Sequence, residues 1–169
     1  MQETPQQYTQ RMLKHSQGKN PLRLQKGTHK KLAALTKRLN KKQLTRQPAP
    51  DKWSIAEILA HLADAELVIG YRIRLILASN GTTIQAFDQD AWAKTFHYGR
   101  RDPKISLETF RFLRENNLRL LNSVPRPSWE NYGLHAERGK ETLTHLMKIM
   151  AGHDLNHLLQ IEKIVKNAN

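Results

Sequence analysis

The sequence predicts an all-α protein, a bundle of four long helices with a short extra helix at the N-terminus. Three observations carry this reading. Long segments place apolar residues three and four apart, and the clearest of them opens on a strong N-cap. No strand-like alternation is flanked by hairpin signals. At 169 residues the chain is read as a single domain over 1–169 with one ordinary core.

The elements follow in order. Residues 5–17 make a short polar helix stopped at Gly18, and Asn20-Pro21 is a breaker. A second helix starts near Thr28, where Leu32, Leu35 and Leu39 share a face and Lys30, Lys31, Lys37, Arg38 and Lys41 lie elsewhere. The stretch RQPAPDKW is a linker, since Pro48 and Pro50 push the residues before them away from helical dihedrals. Ser54 then caps a helix over 54–79. Glu57, three residues on, completes a capping box ahead of the stripe Ile58, Leu62, Ala65 and Ile69, and Asn80-Gly81 ends it. Residues 80–105 have no long period but carry Phe87, Trp92, Phe96 and Tyr98, with one short helix beginning at an Asp88 cap. Four aromatics mark this as an ordered, functional segment. A third long helix covers about 106–122, with Leu107, Phe110, Leu113, Leu120 and Leu121 apolar. The last follows Gly139 and runs over 139–167.

Composition narrows the chemistry. There is no cysteine, so disulfides and thiolate metal sites are excluded. The opening MQETPQQYTQRM is polar and lacks the apolar core of a secretory signal. The most apolar stretch, LVIGYRIRLILA, carries Arg72 and Arg74 in its middle and is too short to span a bilayer. A cytoplasmic protein with no membrane association is the expectation. Of the net charge of +13, residues 1–47 supply +11, with 12 Lys/Arg against the single acid Glu3. Residues 1–27 form a basic leader. A basic end attracts polyanions, nucleic acid first among them, but the segment has only Tyr8 to stack on bases and no recognition motif, so a solvated helix face is the favoured reading.

The last helix raises the functional question. Leu143, Leu146, Met150, His153, His157, Gln160 and Ile164 recur at three and four, which places two imidazoles on an inward stripe. Residues four apart can share one metal ion, and equally can be core histidines hydrogen-bonded in place. His61 shifts the balance. It lies on or beside the apolar stripe of the 54–79 helix, which can face the last one, and bundle cores build metal sites from facing helices. Three imidazoles with no obvious fourth protein ligand describe an open site suited to catalysis.

At these residues the chain resembles a known family. PAPDKWSIAEILAHLADAE is similar to the W-S-x-x-E-x-x-x-H-L signature of the DinB/YfiT-like superfamily, and TLTHLMKIMAGHDLNHLLQIEKI to its C-terminal H-x-x-x-H helix. Trp53, Ser54, Glu57, His61, His153 and His157 match in order and separation. YTQRMLKHSQGKNPL, FDQDAWA and SLETFRFLRENNLRLL resemble further segments of one branch, so the likeness covers nearly the whole chain. It implies an up-down-down-up four-helix bundle holding a divalent metal on His61, His153 and His157, a homodimer, and an activity such as thiol S-transfer with bacillithiol or mycothiol. The very basic N-terminal third is a departure from the family pattern.

The expected protein is therefore a metal-dependent enzyme, an S-transferase or a hydrolase, acting on a small-molecule substrate. Imidazole suits zinc, nickel and iron alike. With no cysteine of its own, thiol chemistry would need a bacillithiol-like thiol as cofactor. Glu57, Asp64, Asp88 and Gln160 are candidate partners for the second ring nitrogens, with helix capping the competing role for Glu57. Asp88 is the candidate catalytic contact to water or substrate, and an N-cap on the other reading. His15, His29, His97, His135 and His145 are left over, mostly as surface residues, with His97 and His135 as possible loop contacts to substrate. The alternative is a non-catalytic helical bundle that binds nucleic acid or a protein partner through its basic N-terminal region.

Overall fold

The computed structural model describes residues 3–167. Helix α1 spans Pro5–Ser16, α2 Pro21–Thr36, α3 Lys41–Thr45, α4 Ile55–Ala78, α5 Gln89–Thr95, α6 Pro103–Ser123 and α7 Leu143–Lys166. Strands β1 (Thr82–Ile84), β2 (Tyr132–His135) and β3 (Gly139–Thr142) form a small sheet in that order. β1 pairs parallel to β2, and β2 pairs antiparallel to β3. No helix of the described residues is long and apolar enough to cross a membrane.

The four long helices α2, α4, α6 and α7 form the bundle, with α2 and α4 each packed against both α6 and α7. Ser54 caps α4 through the expected box: its Oγ accepts from the Glu57 N–H at 3.3 Å, and Glu57 Oε2 accepts from the Ser54 N–H at 2.7 Å.

Three expectations need correction. The second helix begins at Pro21, not near Thr28. Asn20 caps it by accepting from the Arg23 N–H at 2.9 Å, and Pro21 sits in the first turn, where a missing N–H is harmless. Segment 139–142 is a strand rather than helix, and α7 starts at Leu143 on a Thr142 cap. The sheet itself was not expected, because its strands are three or four residues long and its parallel pair joins residues 51 positions apart, as in Thr82 with Gly133.

The basic leader is part of the fold. α1 lies along α7 with Met12 fully buried, and Gln25 and Thr28 of α2 are buried beside it. The basic side chains of residues 14–46 are exposed. Contact between α1 and α7 is close because Gly152 has no side chain: a Cβ there would collide with the Met12 backbone carbonyl. Gly152→Ala is therefore expected to lift α1 off α7, read as faster amide exchange and protease nicking in residues 5–16 with the bundle still folded.

Two apolar clusters fill the interior. One joins Leu32, Ile55, Ile58, Leu62, Phe110, Leu158 and Ile161, and the other joins Ile69, Ile73, Ile76, Leu121, Leu143, Leu146 and Met150. Between them on every long helix the buried residues turn polar: Gln25 and Thr28, His61 and Glu66, Arg114 and Asn117, His153, Asp154 and His157. The core is a sandwich of apolar, polar and apolar layers along the bundle axis. Charged groups this deep are tolerated only when paired. Arg114 Nη1 and Nη2 donate to Asp154 at 2.6 and 3.0 Å, and Nη2 also pairs with Glu66 at 2.8 Å. Thr28 Oγ1 donates to Asp154 at 2.7 Å, and Asn117 donates to Glu66 at 2.8 Å, so one network ties all four helices together.

Candidate metal centre

The polar layer brings the three histidines to one point. α4 supplies His61 and α7 supplies His153 and His157, one turn apart on its inner face. His61 Nε2 lies 2.9 Å from His153 Nε2, which lies 3.1 Å from His157 Nε2. All three ligand atoms fall within 4.8 Å of one another, and all three residues are buried.

Hydrogen bonding among themselves cannot satisfy these rings. A neutral imidazole has one donor and one acceptor nitrogen, so His153 Nε2 can accept from one neighbour and not from both. The Nδ1 atoms of His61 and His153 are buried without a partner among the described residues as well. A shared cation suits the arrangement. Imidazole nitrogens at about 2.0–2.1 Å from a tetrahedral zinc stand about 3.3 Å apart, within a few tenths of an ångström of the 2.9 and 3.1 Å from His153 Nε2 to its two neighbours. The residues present fit a divalent ion held through Nε2 on every ring. His157 is oriented for this by Gln160, whose Oε1 lies 2.9 Å from Nδ1 and accepts its proton.

Burial also keeps the rings neutral, as ligands must be. Desolvation first, and then the neighbouring rings, hold His61 and His153 well below the ordinary imidazole value. Burial lowers His157 to about 4, against the opposing effect of Gln160. His135 falls to about 4, again mainly by burial with Arg138 adding to it. An unfolded chain protonates His157 and His135 near pH 6.5, the ordinary imidazole value, and the native chain does so only near 4. Between those values the unfolded state binds more protons, so stability falls as the pH drops. Thermal melts of metal-free protein are expected to show a falling Tm from pH 6.5 towards 4; a flat profile would contradict a neutral buried cluster.

The remaining candidates separate clearly. Glu57 completes the α4 capping box, with its Oε2 also accepting from Ser54 Oγ at 2.7 Å. Asp64 accepts from the Tyr98 hydroxyl at 2.8 Å and from Arg101 at 2.9 Å, so it fixes the 98–101 turn rather than a ligand ring. Asp88 caps α5 through Oδ1, which accepts from the Asp90 and Ala91 N–H groups at 3.1 and 2.9 Å, and it also stands on the rim of the cavity described next. Of the leftover histidines, His97 is exposed in a left-handed turn. His135 is buried in β2 rather than at the surface, and its Nδ1 accepts from the Glu137 N–H at 3.2 Å. Neither lines the cavity.

That cavity, of about 750 Å³, opens on His61 and His153 between α4 and α7 and is closed by α1, the 86–89 loop and the β2–β3 turn. Phe87 stacks on the His61 ring at 6.1 Å between centroids, and Trp92 meets Phe87 edge-on at 4.8 Å. Trp53 covers another side of His61 at 4.9 Å. Of the four aromatics of the 80–105 segment, Phe87 lines the cavity and Trp92 backs it, whereas Tyr98 is buried against Asp64 and Phe96 is 46% exposed. Among the cavity residues that sequence reasoning did not place in the site are Tyr8 and Arg72. The signal for Arg72 was present: His61, Ala65, Val68 and Arg72 follow one helical face at spacings of four, three and four.

Comparison with known proteins places this geometry in context. The sequence model of the DinB superfamily matches residues 26–161. Two proteins of Oceanobacillus iheyensis, both provisionally named as metal-dependent hydrolases, are 26% identical over 128 and 133 residues, covering 76% of this chain and 74% of each relative. A protein of Bacillus cereus with the same provisional name is 24% identical over 138 residues, covering 82% of this chain and 79% of its own. Among solved structures, YfiT from Bacillus subtilis superimposes with a TM-score of 0.82 at 19% identity, over 88% of this chain and 85% of that one. It is described as a probable metal-dependent hydrolase with an unusual four-helix bundle topology.

Proposed function

We propose that this chain, which belongs to the DinB superfamily, is a metal-dependent hydrolase whose divalent ion is held by His61, His153 and His157. The observation that carries the reading is the convergence of three buried imidazoles, joined through Nε2 contacts of 2.9 and 3.1 Å, two of which, His61 and His153, line an open cavity. A divalent ion on three imidazoles supplies Lewis acidity, lowering the pKa of a water, or of a thiol such as bacillithiol, towards neutrality. The provisional naming of the relatives favours water as the nucleophile.

The chain's own residues do the rest. The three rings hold their lone pairs at one point. Phe87 and Trp53 flank His61, with Trp92 packed edge-on behind Phe87, and they shield the ring from bulk solvent, which strengthens electrostatic effects at the site. Asp88 has Oδ1 committed to the helix cap, and Oδ2 is left to accept a proton or hydrogen bond from water or substrate at the cavity rim. Positioned carboxylates in this role contribute roughly 10²–10⁴-fold.

The test is hydrolysis of a panel of activated esters and amides by tag-free protein loaded in turn with zinc, nickel or iron(II), with and without added thiol. Thiol-independent turnover is expected for wild type. Asp88→Asn is expected to lower kcat/KM by about 10²-fold at unchanged metal content, because Asn caps a helix as well as Asp but cannot take the proton. Turnover only with thiol would move the reading to S-transfer, and absence of turnover with either nucleophile would remove the hydrolase assignment.

A further inference from the structure

We infer that Arg72, helped by the Tyr8 hydroxyl, is the anchor for a carboxylate on the substrate, so that the natural substrate is an elongated monocarboxylate with its hydrolysable bond at the end far from the carboxylate. This rests on the proposed function for the reacting end of the cavity only.

Arg72 is 6% exposed and lines the cavity wall. A buried guanidinium is costly unless it is paired. The other deep arginine, Arg114, has two carboxylates, whereas no carboxylate of the described residues lies within 4 Å of Arg72. Its one hydrogen bond among the described residues is from Nη2 to the Gln85 carbonyl at 2.6 Å. That bond orients the head group and leaves most of its five donors unused. The neighbouring charges do not neutralise it: Arg138 is bidentate to Glu141 at 2.7 and 3.0 Å, and Glu3 is taken by Arg11. The remaining carboxylates on the cavity, Asp88 and Glu137, are exposed on its rim. Burial, with Arg138 adding to it, accordingly lowers Arg72 to about 10.

The Tyr8 hydroxyl lines the same cavity without a hydrogen-bond partner among the described residues, giving a second donor. A planar guanidinium fork matches a carboxylate through two parallel bonds. The single unbalanced positive charge matches a monoanion, while a phosphate dianion would leave excess negative charge beside Asp88 and Glu137. Arg72 and His61 are 11 residues apart on one face, about 16 Å along the axis. The arginine side chain leans back towards the N-terminus and closes part of that gap. Ala65, Val68, Ile69 and Met150 line the cavity and give an apolar channel for the chain that joins the two ends of the substrate.

The test uses metal-free protein, so it stands or falls independently of the metal site. Amide chemical shifts are followed at pH about 7.5 during titration with hexanoate, hexanamide and hexyl phosphate. Hexanoate is expected to bind at least tenfold more tightly than hexanamide, with shifts centred on residues 65–72 and Tyr8, and Arg72→Met is expected to bring that ratio to about one. Equal affinities in wild type, a ratio preserved in Arg72→Met, or shifts centred on surface lysines would overturn the proposal. Tighter binding of hexyl phosphate than of hexanoate would overturn the carboxylate assignment. If Arg72→Met does not fold, the wild-type comparison of hexanoate with hexanamide decides alone.

Discussion

Replacing His153 with Leu is expected to abolish stoichiometric metal binding and leave the fold intact. His153 is the middle member of the cluster, with its Nε2 2.9 Å from His61 Nε2 and 3.1 Å from His157 Nε2. Loss of a group that merely supports a ligand weakens metal sites by about 10–100-fold, so loss of the central ligand should exceed that, to about 10³-fold or more. The consequence for stability runs the other way in the metal-free protein. His153 Nδ1 and His61 Nδ1 are buried without partners among the described residues, and an apolar side chain removes one of those desolvated groups. Thermal melts should therefore show two results together. Metal-free His153→Leu should melt at or above the temperature of metal-free wild type. The rise on adding metal should vanish; in wild type it amounts to about 2.7 kcal/mol at a hundredfold excess over Kd, or about 5–10 °C for a chain this size. A variant that unfolds without metal present would assign His153 a packing role instead.

Arg114→Met is expected to be the most destabilising single change in the polar layer. Arg114, Glu66 and Asp154 are 3%, 3% and 1% exposed, and the guanidinium bonds both carboxylates at 2.6–3.0 Å. Removing it leaves two buried carboxylates facing each other, and breaking a buried pair in this way costs about 3–5 kcal/mol. At about 2–4 °C per kcal/mol for a chain of this length, Tm should fall by about 6–20 °C. Asp154 follows His153 directly on α7, so metal affinity should weaken in the same variant. The triple variant Arg114→Met, Glu66→Gln, Asp154→Asn removes all three charges and should recover most of the lost stability. Failure to recover would show that Arg114 acts through packing of its stem against Phe110, over which its head group sits at 4.6 Å.

How much of this was legible in the residues varies with the range of the interactions involved. The α4 cap, the apolar stripes of α4, α6 and α7, and the places of His61 and of His153 with His157 on the inward stripes of their own helices are local periodicities, and they read correctly because capping and a 3.6-residue repeat act within a few residues. The sheet was not legible. Thr82–Ile84 and Tyr132–His135 are too short to alternate recognisably, and they meet only because α4 and α6 are already packed. Gly139, taken as a helix boundary, adopts φ +75° at the start of β3, a conformation that suits glycine in a hairpin turn. Arg114 and Asn117 give no signal in the apolar periodicity of α6. Yet Leu107, Phe110, Arg114, Asn117 and Leu121 lie three and four apart, on the very stripe that faces the core. A charged residue on such a stripe announces a buried partner, and here Glu66 and Asp154 supply it. Arg72 obeys the same rule on α4, but the structure gives it no carboxylate partner, and this difference is what separates a structural arginine from one free to take a ligand.

Diffraction at the zinc absorption edge, from crystals of tag-free protein grown with zinc, addresses the metal assignment most directly. The account predicts one anomalous peak per chain, within about 2.0–2.2 Å of Nε2 of His61, His153 and His157 together. A peak on surface histidines such as His97, or three imidazoles in contact with no peak between them in zinc-saturated crystals, would contradict it.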